Sequence, residues 1–249
     1  FPGYGSNADT HTGIAVDDRP YEDLVSRDFL PFQAGMATGG DTTAVLVSHN
    51  IVTCMDPDLP ASLSPAVHRI LREDLDFDGA VMTDDLAMDA VSAYAGDGAM
   101  AVLALQAGND LVLTTDYRTQ IPKVLEAVEN GTLEEAAIDA ACRRILEAKY
   151  KLGLFDNPYK YCDVNRPKKQ IFTKEHRAIA RKTASESFVL LKNEGVLPLS
   201  KKGTIAVVGP LANTRSNMPG TWSVAAVLDN APSLVEGLRE VVGDLSLIH

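Results

Sequence analysis

The chain has 249 residues, of which 45% are hydrophobic and 23% charged, a composition typical of a globular protein with a sizeable core. Its net charge of -11 offers no basic surface to neutralise phosphates, which excludes nucleic acid as a predicted partner. No run approaches the roughly 20 apolar residues of a membrane span. Three cysteines stand too far apart for a metal site or a disulfide scaffold, so we interpret them as structural thiols: Cys54, Cys142 and Cys162.

The chain opens on a Gly/Pro-rich loop, FPGYG at residues 1–5, which is followed by Asp9 and His11. An Asp-x-His spacing lets the carboxylate hold the imidazole in one tautomer and stabilise its protonated form. His11 is therefore a candidate proton shuttle, although a loop histidine with this spacing is more often solvated or structural. Because the chain begins inside this motif, we expect it to be a fragment.

From residue 41 onward, short apolar runs alternate with longer stretches of helical periodicity, which predicts a parallel sheet covered by helices. The predicted strands cover residues 43–48, 79–83 and 110–114. Ser64 before Pro65 predicts the start of a helix between the first two strands. Further helices are predicted at 98–107, ended by Gly108, and at 122–129.

A capping box of Thr132 and Glu135 predicts a long helix that runs to about Leu152 and stops at Gly153. Residues 154–172 lack apolar periodicity and are rich in Pro, Asn, Asp, Tyr and Lys, which predicts a linker. After it, a helix is predicted from Thr173 towards residue 191, and a buried strand at 203–209.

The reactive groups of parallel α/β folds lie at the carboxyl ends of strands. Asp84 and Asp85 directly follow the second predicted strand, where a carboxylate can attack an anomeric carbon. The alternative for Asp85, weighed equally, is that it caps the next helix. His49 ends the first predicted strand on the same side or only packs there. Two further histidines are assigned to helix surfaces, His68 and His176.

Several motifs, in one order, resemble those of glycoside hydrolase family 3. They are FPGYG with DTH at 9–11, DGAVMTDDLAM at 78–88, LGLFDNPY at 152–159, SFVLLKNEGVLPL at 187–199 and TIAVVGPLA at 204–212. The resemblance implies an α/β fold: the C-terminal part of a (β/α)8 TIM-type barrel at 1–153, a linker at 154–172, and the truncated start of an α/β sandwich domain at 173–249. Since only part of the barrel is present, we expect the isolated chain to be poorly stable and inactive.

The same resemblance implies the residue roles. Asp84 would be the nucleophile, His11 the acid/base, and Asp9 the residue that orients His11. Residues expected to bind the substrate are Gly3, Tyr4, His49, Asp85 and Met88. No cofactor and no metal are implied. The expected partner is a carbohydrate with a β-linked N-acetylglucosamine or glucose at its non-reducing end.

Two parts of the chain resemble different branches of this family. The Asp-x-His pair and LPASLS at 59–64 are similar to the β-N-acetylglucosaminidases, which implies a retaining exo-β-N-acetylglucosaminidase. Residues from about 152 onward, including the Gly-Thr-Trp run at 220–222, look more like β-glucosidases or β-xylosidases. A catalytically inactive carbohydrate-binding remnant is the third alternative. Bacterial cytoplasm, periplasm and secretion all fit the sequence.

Overall fold

The structure is a computed structural model. It describes the chain except residues 6–7, 40–41, 95, 97–98, 202, 221–222, 224, 243–245 and 249. Most of the Gly-Thr-Trp run predicted to resemble glucosidases therefore lies outside the described residues, as does the predicted start of a helix at residue 98. The chain divides into two compact units, Phe1–Asn165 and Arg166–His249.

The first unit alternates short strands with helices. Its strands are Val16–Asp17 (β1), Ala44–Val47 (β2), Ile51–Val52 (β3) and Ala80–Thr83 (β4). Its α-helices are Tyr21–Asp23 (α1), Phe29–Gly39 (α2), Pro65–Arg69 (α3), Asp89–Ser92 (α4), Met100–Ala107 (α5), Tyr117–Glu129 (α6) and Glu135–Lys151 (α7). Two π-helical stretches continue α1 and α3, and one 3-10 turn precedes α3: Leu24–Asp28, Ile70–Asp74 and Ala61–Leu63.

The predicted parallel pairing is present at the centre of this unit. β2 pairs in parallel with β4, from Ala44 opposite Ala80 to Val47 opposite Thr83. The third predicted strand is reduced to one parallel bridge between Met82 and Leu111, although the Thr83 N–H still donates to the Leu111 carbonyl at 3.1 Å. β1 and β3 form a second parallel pair that the sequence did not predict.

The two faces of β2 and β4 differ in burial because successive side chains of a strand point to opposite sides. Val45, Val47 and Val81 lie in a buried cluster with side chains from α2, α3 and the segment between α3 and β4. On the other face, Leu46 is 39% exposed and Leu113 is 43% exposed. One face of the sheet therefore packs on helices, while the other presents apolar side chains to solvent.

A charged cluster lies where β4 begins. The Asp110 carboxylate is 2% exposed, accepts from Arg72 Nη2 at 2.6 Å and from the Val81 N–H at 2.8 Å, and accepts from Arg144 Nη1 at 2.8 Å. Arg72 also donates to the carbonyl of Gly79, at 2.6 Å. These bonds join the π-helical stretch that continues α3, and α7, to the amino ends of two neighbouring sheet segments.

Two helix ends agree with the sequence. Ser64 caps α3, since its hydroxyl accepts from the Val67 N–H at 3.2 Å. Gly108 ends α5 in the left-handed region at φ 111°, which favours glycine. The helix predicted at 122–129 begins earlier, at Tyr117, because the Gln120 side chain reaches back to accept from the Ala101 N–H at 3.0 Å.

Two helix-related predictions are wrong. The capping box of Thr132 does not form: α7 has Glu134 at its N-cap position without a side-chain cap. The reason is that Leu133 is buried, with its N–H donating to the Ala127 carbonyl at 2.9 Å, so the chain stays extended there. His68 is not on a helix surface but 3% exposed, with Nδ1 donating to the Ser64 carbonyl at 2.8 Å.

The second unit contains helices and one short strand pair. They are Arg166–Gln170 (α8), Lys174–Ser187 (α9), Thr204–Ala206 (β5), the 3-10 turn Leu228–Asn230, Leu234–Val242 (α10) and Ser246–Ile248 (β6). β5 pairs in parallel with β6. The predicted burial of the strand at 203–209 holds only in part: Thr204 and Ala206 are exposed, whereas Val207 is 8% exposed and packs with Val235.

Candidate functional site

Asp84 lies at the carboxyl edge of the sheet, where the sequence places it. Its N–H donates to the Val47 carbonyl at 3.3 Å, which extends the β2–β4 ladder by one residue. The side chain is half-buried, and its Oδ1 accepts from the Asp85 N–H at 2.8 Å. A backbone N–H thus holds one carboxylate oxygen in place, and the other oxygen, Oδ2, points to the opening loop.

The opening loop brings Tyr4 to this carboxylate. The Ser48 N–H donates to the Phe1 carbonyl at 3.0 Å, so the loop runs along the end of β2. Tyr4 Oη lies 3.5 Å from Asp84 Oδ2 and accepts from the His49 N–H at 3.4 Å. Gly3 turns the loop at φ 104°, and its carbonyl accepts from Asn50 Nδ2 at 3.1 Å.

His49 is placed at the same edge but does not face the solvent. Its exposure is 0%, its Nδ1 lies 2.7 Å from Ser62 Oγ, and its Nε2 lies 3.0 Å from the Asp85 carbonyl. A carbonyl only accepts, so Nε2 carries the proton and Nδ1 accepts from the Ser62 hydroxyl. Burial lowers the pKa of His49, which keeps the ring neutral. Both ring nitrogens are thus engaged within the protein, and the predicted contact between His49 and the substrate stays a prediction.

Asp85 is engaged by the protein as well. Its Oδ1 accepts from the Ala87 N–H at 2.9 Å and from the Thr115 N–H at 3.3 Å, so this carboxylate shapes the loop after β4. It does not cap the following helix, because α4 has Met88 at its N-cap position. Met88 is half-buried, and its N–H donates to the Asp85 carbonyl at 3.1 Å. The bonds of the Asp85 side chain support a loop-forming role rather than the predicted contact with substrate.

Asp9 and His11 form the predicted pair. His11 Nδ1 lies 2.8 Å from Asp9 Oδ1, and the His11 N–H donates to the same oxygen at 3.0 Å. The side chains are 53% and 61% exposed for His11 and Asp9. Hydrogen bonds from the His11 backbone N–H and then from its ring lower the pKa of Asp9. Nδ1 is therefore the ring nitrogen that Asp9 holds, which orients the imidazole.

Sequence reasoning missed Ser62 and Asn109 as parts of this edge. The Ser62 carbonyl accepts from Asn109 Nδ2 at 2.8 Å, and its N–H donates to the Ser48 carbonyl at 3.0 Å. Ser62 belongs to the LPASLS run, which the sequence used only to choose a subgroup. No local pattern connects it with His49, because the fold alone brings these residues together.

Other chemistry is sparse in the part of the chain that the structure describes. No group of three His, Cys, Asp or Glu side chains there is arranged to hold a metal ion. Across the same residues, no helix combines the length and the apolar character needed to cross a membrane. The three cysteines are unpaired and exposed thiols, so they do not pack in a core as structural thiols would.

Family models match both parts of the chain. The model described as the glycosyl hydrolase family 3 N-terminal domain matches residues 1–148, and that of the family 3 C-terminal domain matches residues 188–246. The first match covers more than half of the chain, and the two matches follow each other in the order of the predicted domains.

Individual proteins are similar over long stretches. A periplasmic beta-glucosidase of Salmonella typhimurium is 35% identical over 86% of this chain, which spans 28% of that protein. A beta-hexosaminidase of Stenotrophomonas maltophilia is 39% identical over 55% of this chain and 41% of its own length. The solved structure of a glycoside hydrolase family 3 beta-N-acetylglucosaminidase from Paenibacillus sp. aligns with 83% of this chain and 40% of its own, at a TM-score of 0.69 and 30% identity. The chain thus spans between about a quarter and two fifths of these relatives.

Proposed function

The chain belongs to glycosyl hydrolase family 3, and from that membership we propose that it serves a retaining β-glycosidase with Asp84 as nucleophile and His11 as acid/base. The observation that carries the proposal is the Asp9–His11 pair, joined at 2.8 Å, in a chain whose Asp84 stands at the carboxyl edge of the sheet. This geometry supplies an oriented proton shuttle and a held carboxylate, which are the two groups that retention requires. The N-terminal part is TIM-barrel-like and is followed by an α/β domain, as in family 3 structures.

In the first step, an Asp84 oxygen attacks the anomeric carbon while protonated His11 gives its Nε2 proton to the leaving oxygen. Asp84 Oδ1 already accepts the Asp85 N–H at 2.8 Å, so Oδ2, on the side of Tyr4, is the oxygen that we expect to attack. The products are a glycosyl ester of Asp84 and the free alcohol of the aglycone.

In the second step, neutral His11 takes a proton from water, and the resulting nucleophile attacks the anomeric carbon of the ester. The carbon–oxygen bond to Asp84 breaks, the carboxylate is restored, and His11 is protonated again. Two inversions give net retention. Ionised Asp9 stabilises the positive charge that His11 carries between turnovers. Gly3, Tyr4 and Met88 are proposed to line the sugar site, since they lie on the two loops next to Asp84.

For the sugar, we propose a terminal β-linked N-acetylglucosamine. The formed Asp9–His11 pair supports it, as do the similarities to a beta-hexosaminidase and to a solved beta-N-acetylglucosaminidase. A second candidate is a β-glucosidase or β-xylosidase, favoured by the beta-glucosidase relative that is similar over 86% of the chain. In that candidate the acid/base would come from the second domain, and Asp9 and His11 would be dispensable.

The test measures hydrolysis of the 4-nitrophenyl β-glycosides of N-acetylglucosamine, glucose and xylose. The native protein that carries this chain is compared with its His11→Ala variant. We expect cleavage of the N-acetylglucosaminide and its loss in the variant. His176→Ala, an exposed histidine on α9, is the matched control and should stay active. Preference for glucoside or xyloside with an active His11→Ala variant would favour the second candidate. Sugar binding without turnover, and without a covalent adduct on Asp84, would indicate an inactive remnant.

A further inference from the structure

His49 is a buried residue whose ring contacts the loop that carries Asp84 and whose backbone N–H contacts Tyr4 on the opening loop. Its ring is 0% exposed and lies between the 3-10 turn and the residue that follows Asp84. No step of the proposed reaction uses this ring. A neutral, fully buried imidazole at the carboxyl edge of the sheet can still act through the residues to which it is hydrogen-bonded.

The first path runs through the ring. Asn109 Nδ2 donates to the Ser62 carbonyl at 2.8 Å, which fixes the turn that carries Ser62. The Ser62 hydroxyl donates to Nδ1 at 2.7 Å, and the Nε2 proton is thereby committed to the Asp85 carbonyl at 3.0 Å. This last bond fixes the peptide group between Asp85 and Leu86, one residue beyond the nucleophile.

The second path runs through the backbone of the same residue. The His49 N–H donates to Tyr4 Oη at 3.4 Å, so the hydroxyl's own proton is directed elsewhere, and Asp84 Oδ2 lies 3.5 Å away. The other carboxylate oxygen, Oδ1, accepts from the Asp85 N–H at 2.8 Å. His49 therefore acts on both oxygens of Asp84 through an intermediary: Tyr4 on one side and the backbone of Asp85 on the other.

We propose that His49 is a positioning residue for the nucleophile: locked by Ser62 as the Nε2–H tautomer, it fixes the Asp85 carbonyl and so sets the orientation of the Asp84 carboxylate. The inference rests on the proposed function, because it assigns a role in the attack by Asp84. The positioning role does not require any contact between His49 and the sugar.

Two substitutions separate the bonds of the ring. In His49→Gln, the side-chain amide nitrogen can occupy the place of Nε2 and still donate to the Asp85 carbonyl. In His49→Asn, the shorter amide reaches only the place of Nδ1, so the Ser62 contact survives and the Asp85 bond is lost. Both variants lose the imidazole and part of the packing. A purely structural role predicts that they lose activity in proportion to stability.

Both substitutions are made in the protein that carries this chain, and each variant is compared with the native form of that protein. The readouts are kcat, KM, thermal midpoint, and the rate of covalent labelling of Asp84 by a 5-fluoro glycosyl fluoride of the hydrolysed sugar. We expect His49→Asn to lower kcat and the labelling rate about 10- to 100-fold with little change in KM, as small misplacements of reacting groups do. His49→Gln should stay close to the native rates. Val67→Ala, a core truncation in α3, controls for lost stability and should leave the labelling rate unchanged.

The outcomes separate the two proposals. Equal labelling rates for the Asn and Gln variants, or rates that follow the thermal midpoint in all three variants, overturn the positioning role while leaving Asp84 as nucleophile. If native protein forms no adduct on Asp84, or Asp84→Ala still turns over, the proposed function fails and the positioning role fails with it. A slow Asn variant beside a fast Gln variant of equal stability supports the positioning role.

Discussion

Asp9 illustrates, at the scale of single residues, how an exposed carboxylate can control a proton shuttle. Its bonds to the His11 backbone N–H and ring lower the pKa of Asp9, so its charge is present above that lowered pKa. As pH falls through it, Asp9 becomes protonated and the charge that supports His11 is lost. The Asp9 carboxylate is therefore ionised over the neutral range and loses its charge only in acid.

From this follows a prediction for Asp9→Asn. The amide can still hold the His11 ring, but it carries no negative charge to stabilise the imidazolium that forms during turnover. We expect kcat and kcat/KM at neutral pH to fall. Asp18→Asn, another exposed aspartate on the same segment, is the control. An unchanged kcat/KM in Asp9→Asn would remove Asp9 from the acid/base system.

The sequence could predict residues whose role is local and not those whose role depends on distant partners. Asp84 follows its strand directly, and Asp9 lies two residues from His11, so their positions make them candidates, and the resemblance to family 3 supplies the predicted roles. His49 is different, because its environment comes from Ser62 and from the loop after β4. A strand-end histidine looks the same in sequence whether it is enclosed or faces a ligand, and the structure decides between the two.

At the scale of elements, the cluster around Asp110 holds the amino ends of the central segments together. The carboxylate is 2% exposed, binds two arginines and accepts from the Val81 N–H in β4, while Arg72 donates to two carbonyls before that strand. Without Asp110, two partly enclosed guanidinium groups would face each other without a shared counter-ion.

We therefore expect Asp110→Asn to lower the free energy of unfolding by about 3 kcal/mol, as the loss of one partner of a buried ion pair does. The matched control is Asp78→Asn, whose 92% exposed carboxylate lies 3.6 Å from Arg144. An exposed pair contributes at most about 1 kcal/mol. Urea denaturation, followed by circular dichroism, compares the two. Equal losses in both variants would show that the enclosed cluster contributes no more than a surface pair.

Element prediction succeeded where an element has a full period and its own boundary signal. β2 and β4 are long enough to show apolar runs, and Ser64 and Gly108 mark helix ends through their side chain or conformation. β1 and β3 have two residues each, too few for any periodicity. The capping box failed because burial of Leu133 outweighs the weak preference of Thr132 for a cap.

At the scale of the whole molecule, the solvent-exposed apolar face of the sheet limits the stability of the isolated chain. Leu46 and Leu111 are both 39% exposed, and Leu113 is 43% exposed. Apolar side chains in water forgo the stabilisation that burial gives, about 25 cal/mol for each Å². The isolated 249-residue chain should therefore have a small free energy of unfolding.

We expect this isolated chain to unfold over a broad temperature range by circular dichroism and to bind the dye ANS before it unfolds. Changing Leu46 and Leu113 to Thr should lower dye fluorescence, since both lie on the exposed face of the sheet. Leu146→Thr, at a 45% exposed position on the outer side of α7, serves as control and should change it little. A sharp cooperative transition without dye binding would contradict this expectation.

The division of the chain shows why whole-molecule features were predicted only in outline. The predicted linker at 154–172 contains the point between Asn165 and Arg166 where the two units divide, but α8 lies inside it. The segment is rich in turn-forming residues, so its composition did not predict the short helix α8. The strand at 204–206 was expected to be buried because apolar runs usually lie within a larger sheet; burial depends on neighbours that a local pattern does not contain.

The loop after β4 combines a backbone held by hydrogen bonds with one exposed side chain, and this decides where its sequence can vary. Its backbone is anchored at the Asp84 N–H by Val47, at the Leu86 N–H by Leu113, and at the Asp85 carbonyl by His49. The exposed methyl group of Ala87 takes part in none of these bonds. Substitutions at position 87 therefore leave the hydrogen bonds that place Asp84 unchanged, so this loop can vary at one exposed position while its backbone keeps its course.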